Sequence, residues 1–157
     1  MVEKKFRLNQ IKTIPGGKDP VIMLSEFILK LGFDPASLEV ESNEQRTRWM
    51  VPLSETEDVE IILDSVKNPQ DATIYIGVNI CAVPLKKLTE FVVTALELAD
   101  GLVGAKISIV GRYLVLSSTV PAYSATIDEL EYIYKLVLAQ KEWFLGVLSD
   151  ELDIDTV

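Results

Sequence analysis

Histidine is absent from this 157-residue sequence, and cysteine occurs once, at Cys81. Without histidine the imidazole base of Ser/His/Asp and Cys/His catalytic sets is missing, and one thiolate cannot complete a structural zinc site. A lone cysteine also rules out an internal disulfide, which removes the stapled secreted scaffold as a class. Long apolar runs are missing as well. The longest uncharged stretches, residues 72–85 and 113–127, fall below the ~18 residues a bilayer span needs, and each contains proline and polar side chains. The opening Met1-Val2-Glu3-Lys4-Lys5 leads into no apolar signal core. No membrane insertion is expected, and the cytoplasm is the expected compartment.

Positive charge is scarce. Fifteen Lys and Arg stand against 24 Asp and Glu, for a net charge of −9. Nucleic-acid affinity comes from cations on phosphates, so no nucleic-acid partner is expected. The cations are also unevenly placed: residues 1–33 hold Lys4, Lys5, Arg7, Lys12, Lys18 and Lys30 against Glu3, Asp19 and Glu26. That leaves +3 on this segment and −12 on the other 124 residues. What is plentiful is ordinary for a globule, with 48% hydrophobic and 25% charged residues. A chain of this length makes one domain and buries about 70% of its unfolded surface.

The pattern divides into a flexible basic arm (1–18), one domain (19–149) and an acidic tail (150–157). Asp19-Pro20 supplies an N-cap and a first-turn proline, Val21, Leu24, Ile28 and Leu31 recur at helical spacing, and Gly32 supplies the stop. Three strand-like runs follow, at 46–53, 59–66 and 72–83, the last two separated by the turn-like Asn68-Pro69-Gln70-Asp71. In the first, Thr47, Trp49, Val51 and Leu53 alternate with Arg46, Arg48 and Met50. A second helix is expected from Pro84 to Ala99, closed by Gly101. Strands at 105–110 and 113–120 then flank Gly111-Arg112, which suits a type II′ hairpin. Thr126 and Glu129 form a capping box for a last helix, whose stripe is Ile127, Leu130, Tyr134, Val137, Lys141, Phe144 and Leu148. The expected fold is α+β, a single domain ordered helix, three strands, helix, two strands, helix, on a mainly antiparallel sheet.

No catalytic motif emerges. Pro15-Gly16-Gly17-Lys18-Asp19 lacks the first glycine and the Ser/Thr of a phosphate loop and reads as a loop. Cys81 lies in an apolar strand with no adjacent cation, so an inert core thiol is expected. The clusters Glu55/Glu57/Asp58/Glu60 and Asp150/Glu151/Asp153/Asp155 lack the glycine and spacing of a calcium loop and read as a solvated face and tail. No metal and no cofactor is called for. Trp49, Tyr75 and Tyr113 are the candidate partner-binding residues. Each is an aromatic either packed in the core or presented as an anchor to another chain. The runs Ile74-Tyr75-Ile76-Gly77-Val78 and Tyr113-Leu114-Val115-Leu116 are apolar on both faces, which raises the question of what covers the second face.

The element order resembles the fold shared by type III secretion chaperones, of the Tir chaperone kind, and the YbjN family. It is carried by the 19–31 helix, the strand run 46–83, the helix 84–101, the hairpin 105–120 and the helix 126–149. The resemblance implies a cytoplasmic homodimer without catalytic activity that binds protein. It places the dimer contact near Leu88, Phe91, Val92 and Ala95 of the middle helix. The basic arm is an addition to that pattern, and no residue points to a secretion client. The expected function is therefore a non-enzymatic, dimeric protein-binding module, chaperone-like or regulatory. The competing classes are a small-ligand binder or enzyme built on carboxylate, Tyr or Lys groups, and a structural subunit of a larger assembly.

Overall fold

A computed structural model describes residues 19–65 and 71–152. The expectations for the arm 1–18, for the turn at Asn68-Pro69-Gln70 and for residues 153–157 of the tail lie outside the described residues. Ten elements follow in order: α1 (Pro20–Lys30), α2 (Pro35–Leu38), β1 (Glu39–Ser42), β2 (Arg46–Pro52), β3 (Asp58–Asp64), β4 (Thr73–Ala82), α3 (Leu88–Ala99), β5 (Lys106–Val110), β6 (Tyr113–Pro121) and α4 (Ile127–Leu152). The strands form one antiparallel sheet in the order β1-β2-β3-β4-β6-β5. The expected α+β class and antiparallel sheet therefore hold, with one helix and one strand more than expected.

The local chemistry explains most boundaries. Asp19 Oδ1 accepts from the Val21 amide at 2.9 Å, and Pro20 takes the first helical position of α1. At the other end Gly32 adopts φ +95°, and the amides of Gly32 and Phe33 return to the carbonyls of Leu29 and Ile28. This left-handed closure satisfies two otherwise orphaned carbonyls, as expected of glycine there. The same Asp-Pro signature recurs at Asp34-Pro35, where Asp34 Oδ1 accepts from Ala36 and starts the short α2. The one-turn helix and the four-residue β1 after it escape a periodicity reading, because neither is long enough to show a period.

The middle helix differs from its expected start. Residues 84–87 stay outside it, and α3 begins at Leu88 behind Lys87. Lys87, at φ 59°, is the one non-glycine with positive φ among the described residues. Its left-handed backbone turns the chain into the helix, so Pro84 precedes the turn and does not open the helix. Gly101 follows α3 as expected but without a positive φ. A Cβ there would come within 2.9 Å of Trp143 Cη2 on α4, so glycine serves close helix–helix approach at this point. Gly111, at φ 60°, turns β5 into β6 as the hairpin reading requires. Thr126 Oγ1 accepts from the Glu129 amide at 3.1 Å and starts α4.

Strand pairing puts Trp49, Ile61 and Ile76 in one cross-strand row, with Val51, Val59, Val78 and Leu116 in the next. This inner face is almost fully buried. Leu130, Ile133, Val137, Phe144 and Leu148 of α4 cover it, and α4 lies against β4 and β6. Helices α1 and α3 pack against α4 in turn. The Phe27 and Tyr134 rings meet edge to face at 5.8 Å, and Lys30 Nζ pairs with Glu131 Oε2 at 2.6 Å across the same contact. At about 1.5–3 kcal/mol per fully buried large apolar side chain, this layer is the main source of stability.

Candidate functional site on the outer face of the sheet

Alternation along the strands sends the remaining residues to the opposite face. Arg46, Arg48 and Met50 of β2 lie there, with Glu60, Ile62 and Asp64 of β3. Tyr75, Gly77 and Asn79 come from β4, and Tyr113, Val115 and Ser117 from β6. Among the described residues none of the three long helices packs on this face. Two cross-strand ion pairs hold its β2–β3 side, Arg48 Nε to Glu60 Oε2 at 2.5 Å and Arg46 Nη2 to Asp64 Oδ2 at 3.1 Å. Both are partly solvated, so each contributes about 0–1 kcal/mol and mainly fixes side-chain positions.

Between these pairs and β6 runs an open groove of about 300 Å³. Tyr75, Gly77 and Val115 form its floor, Arg48 and Met50 one wall, and Tyr113 and Val110 the other. Its end at the β2–β3 turn is acidic, with Glu57 and Asp58. Gly77 is required by the floor itself, because a Cβ there would collide with the ring of Tyr75 lying over it. Partial burial raises the Tyr75 phenol above its ordinary pKa, the nearby Ser117 hydroxyl only partly offsets that, and the Glu60 carboxylate adds to the rise. The Ser117 hydroxyl is itself fully buried and makes no hydrogen bond of good geometry.

The structure thus brings two of the three candidate aromatics together. Tyr75 is half-buried in the floor and Tyr113, 48% exposed, stands on the rim. Trp49 is 2% exposed on the inner face, so it is a core aromatic and presents no anchor at the surface. The reason lies in its phase: it shares the face of Thr47 and Val51, both buried under the helices. Of the four middle-helix candidates, Phe91 and Ala95 face the chain's own core. Leu88 is exposed and Val92 half-buried, and they continue into Val93 and Leu96, at 49% and 62% exposure. Val93 and Leu96 were hidden in the sequence because apolar residues run nearly all round α3, leaving its core side ambiguous.

Other candidates resolve structurally. Cys81 is partly buried, and that burial raises its thiol pKa. The acidic cluster of the β2–β3 turn does not converge on a cation. Glu60 meets Arg48, and Glu57 Oε1 takes the Lys141 Nζ at 2.6 Å. Lys141 is buried on the core side of α4, a charged residue in an otherwise apolar stripe. Its place as a charged residue in that stripe is legible in the sequence, whereas the pairing with Glu57 depends on the fold. Among the described residues no group of metal-ligating side chains gathers, and no helix is long and apolar enough to cross a membrane.

No protein-family model matches the sequence, and no curated protein matches it either. Solved structures do match in fold. An uncharacterized protein from Methanothermobacter thermautotrophicus superposes with a TM-score of 0.63 at 17% identity, over 83% of this chain and 97% of that one. The HopA1–SchA chaperone–effector complex gives 0.51 at 12%, over 80% and 91%. YbjN from E. coli gives 0.51 at 15%, over 87% and 90%. At these identities the likeness concerns the fold, which is the one shared by type III secretion chaperones and YbjN.

Proposed function

We propose that this chain is a non-enzymatic protein-binding module, chaperone-like or regulatory, that holds a segment of another polypeptide in the outer-face groove. The observation that carries this reading is the groove itself. An open sheet face places a half-buried tyrosine, an exposed tyrosine and apolar floor residues beside the free edge of β5. Aromatics of this kind supply large contact area at low entropic cost, and an exposed strand edge offers unpaired backbone groups. The chaperone–effector complex among the fold-mates supports it.

The module works as a cytoplasmic homodimer through the outward side of α3, with Leu88, Val92, Val93 and Leu96 in the contact. These residues form an exposed apolar strip on one helix, and a second copy is the partner that would bury it. Sedimentation of the wild type is expected near twice 17.5 kDa, and Leu96→Glu is expected to give monomer. A wild-type monomer at every concentration would overturn the dimer.

The groove is tested by a photo-reactive p-benzoylphenylalanine in place of Tyr113, irradiated in native lysate. The control carries the same probe at Tyr132 on α4, which is 63% exposed. A covalent partner trapped from position 113 and not from 132 is the expected result. Equal trapping from both, or none from 113, would contradict the reading.

A further inference from the structure

Positive charge in this chain is concentrated in one segment. Residues 1–18 carry Lys4, Lys5, Arg7, Lys12 and Lys18 against Glu3, a net +4, with Phe6, Leu8, Ile11 and Ile14 among them. The other 139 residues hold ten basic and 23 acidic side chains, a net −13. The outer-face groove has the complementary layout. Its β2–β3 end is acidic: Asp58 lines it, Glu55 is exposed in the same turn, and neither has an ion-pair partner among the described residues. Its other end, at Tyr113, Val115 and Val110, is aromatic and apolar.

We propose that residues 1–18 occupy this groove in their own chain, with Lys4 and Lys5 toward the Glu55–Asp58 end and Phe6 and Leu8 following toward Tyr113 and Val115. The segment then acts as an internal occupant that an outside polypeptide must displace. Reach permits it. The dozen residues from Leu8 to Asp19 extend to about 40 Å, and a six-stranded sheet is roughly 25 Å wide. Charge selects it, since the favoured occupant is basic and apolar together, and these residues have both properties. The attraction operates at an exposed surface and is screened over about 8 Å at physiological ionic strength. Higher salt is therefore expected to weaken this contact.

This inference rests on the reading of the groove as a polypeptide-binding site, and the experiment separates the two. In the full chain Phe6 is replaced by p-benzoylphenylalanine, and an equal mixture of light and heavy-isotope protein is irradiated. Cross-linked peptides are then mapped by mass spectrometry. The expected products join position 6 to the β2 or β6 peptides containing Met50, Tyr113 or Val115, within one isotope. Their yield is expected to fall several-fold in the Lys4→Glu/Lys5→Glu/Arg7→Glu variant. Cross-links scattered over other surfaces, links mainly between isotopes, or no links would overturn the proposal. Its failure is distinct from failure of the binding module: a probe at Tyr113 that still traps an outside partner keeps the module and removes only the internal occupant.

Discussion

The two faces of the sheet are made from the same six strands and have opposite fates. On β4, Ile74, Ile76, Val78 and Ile80 face the helices and are buried, while Thr73, Tyr75, Gly77 and Asn79 face away. On β3 the contrast falls between neighbours: Ile61 is fully buried and Ile62 only half so. The inner face is filled by branched aliphatics that interlock with α4. The outer face carries two ion pairs, a tyrosine laid over a glycine and a groove. One face therefore carries the core, and the other carries the groove to which the proposed function assigns polypeptide binding.

The strongest way to test that division is to truncate adjacent residues. Ile61→Ala is expected to cost about 2–5 kcal/mol, because it removes buried methyl groups and leaves a cavity. Ile62→Ala, one residue along on the solvated face, is expected to cost about 1 kcal/mol or less. Urea denaturation reads both, and equal losses would erase the distinction between the faces.

Lys141 tests the inner face from its polar exception. Glu57→Gln leaves the buried ammonium without its counter-charge. The expected cost is about 1–3 kcal/mol, below the full cost of a broken buried pair because Glu57 is half solvated. Lys141→Met removes both the charge and its need for a partner, and is expected to be neutral or stabilising. A large loss in Lys141→Met would show the ion pair to be a net stabiliser.

A smaller effect is expected at Gly77. Gly77→Ala pushes the Tyr75 ring off the floor at a cost of about 1 kcal/mol. In a Tyr75→Ala background the same change is expected to cost close to nothing, and a double-mutant cycle measures the coupling. Smallest of all is an alkaline effect. Burial raises the phenol pKa of Tyr75 and Tyr134 in the folded state, so the unfolded chain loses these protons first. Their contribution is fully present below the ordinary tyrosine pKa and is lost as pH rises through the folded values. Ultraviolet titration is expected to show two tyrosines ionising late in native protein and normally in denaturant.

Much of this architecture was legible in the residues. Asp19-Pro20, Gly32, Gly111 and Thr126 are local signals, and each does in the structure what its chemistry requires. Alternation also gave the correct two faces of β2, with Trp49 beside Thr47 and Val51 and opposite Arg48 and Met50. Three features were not legible. α2 and β1 are too short for periodicity, although Asp34-Pro35 repeats the signature of Asp19-Pro20. The start of α3 depends on a left-handed Lys87, a conformation no side-chain rule assigns to lysine. The groove depends on strand order, which brings β4 beside β6 and so joins Tyr75 to Tyr113 across 38 residues of sequence. Composition alone cannot show such a juxtaposition.

The division of labour between the faces is tested most directly by Tyr113→Ala, with stability and partner recovery measured on the same sample. The account predicts unfolding free energy within about 0.5 kcal/mol of wild type. It also predicts recovery of the outer-face partner reduced by about tenfold or more, the loss of roughly 1.4 kcal/mol of binding. A variant that keeps its partner at wild-type levels, or loses it only by unfolding, would contradict the claim that the outer face is the binding face.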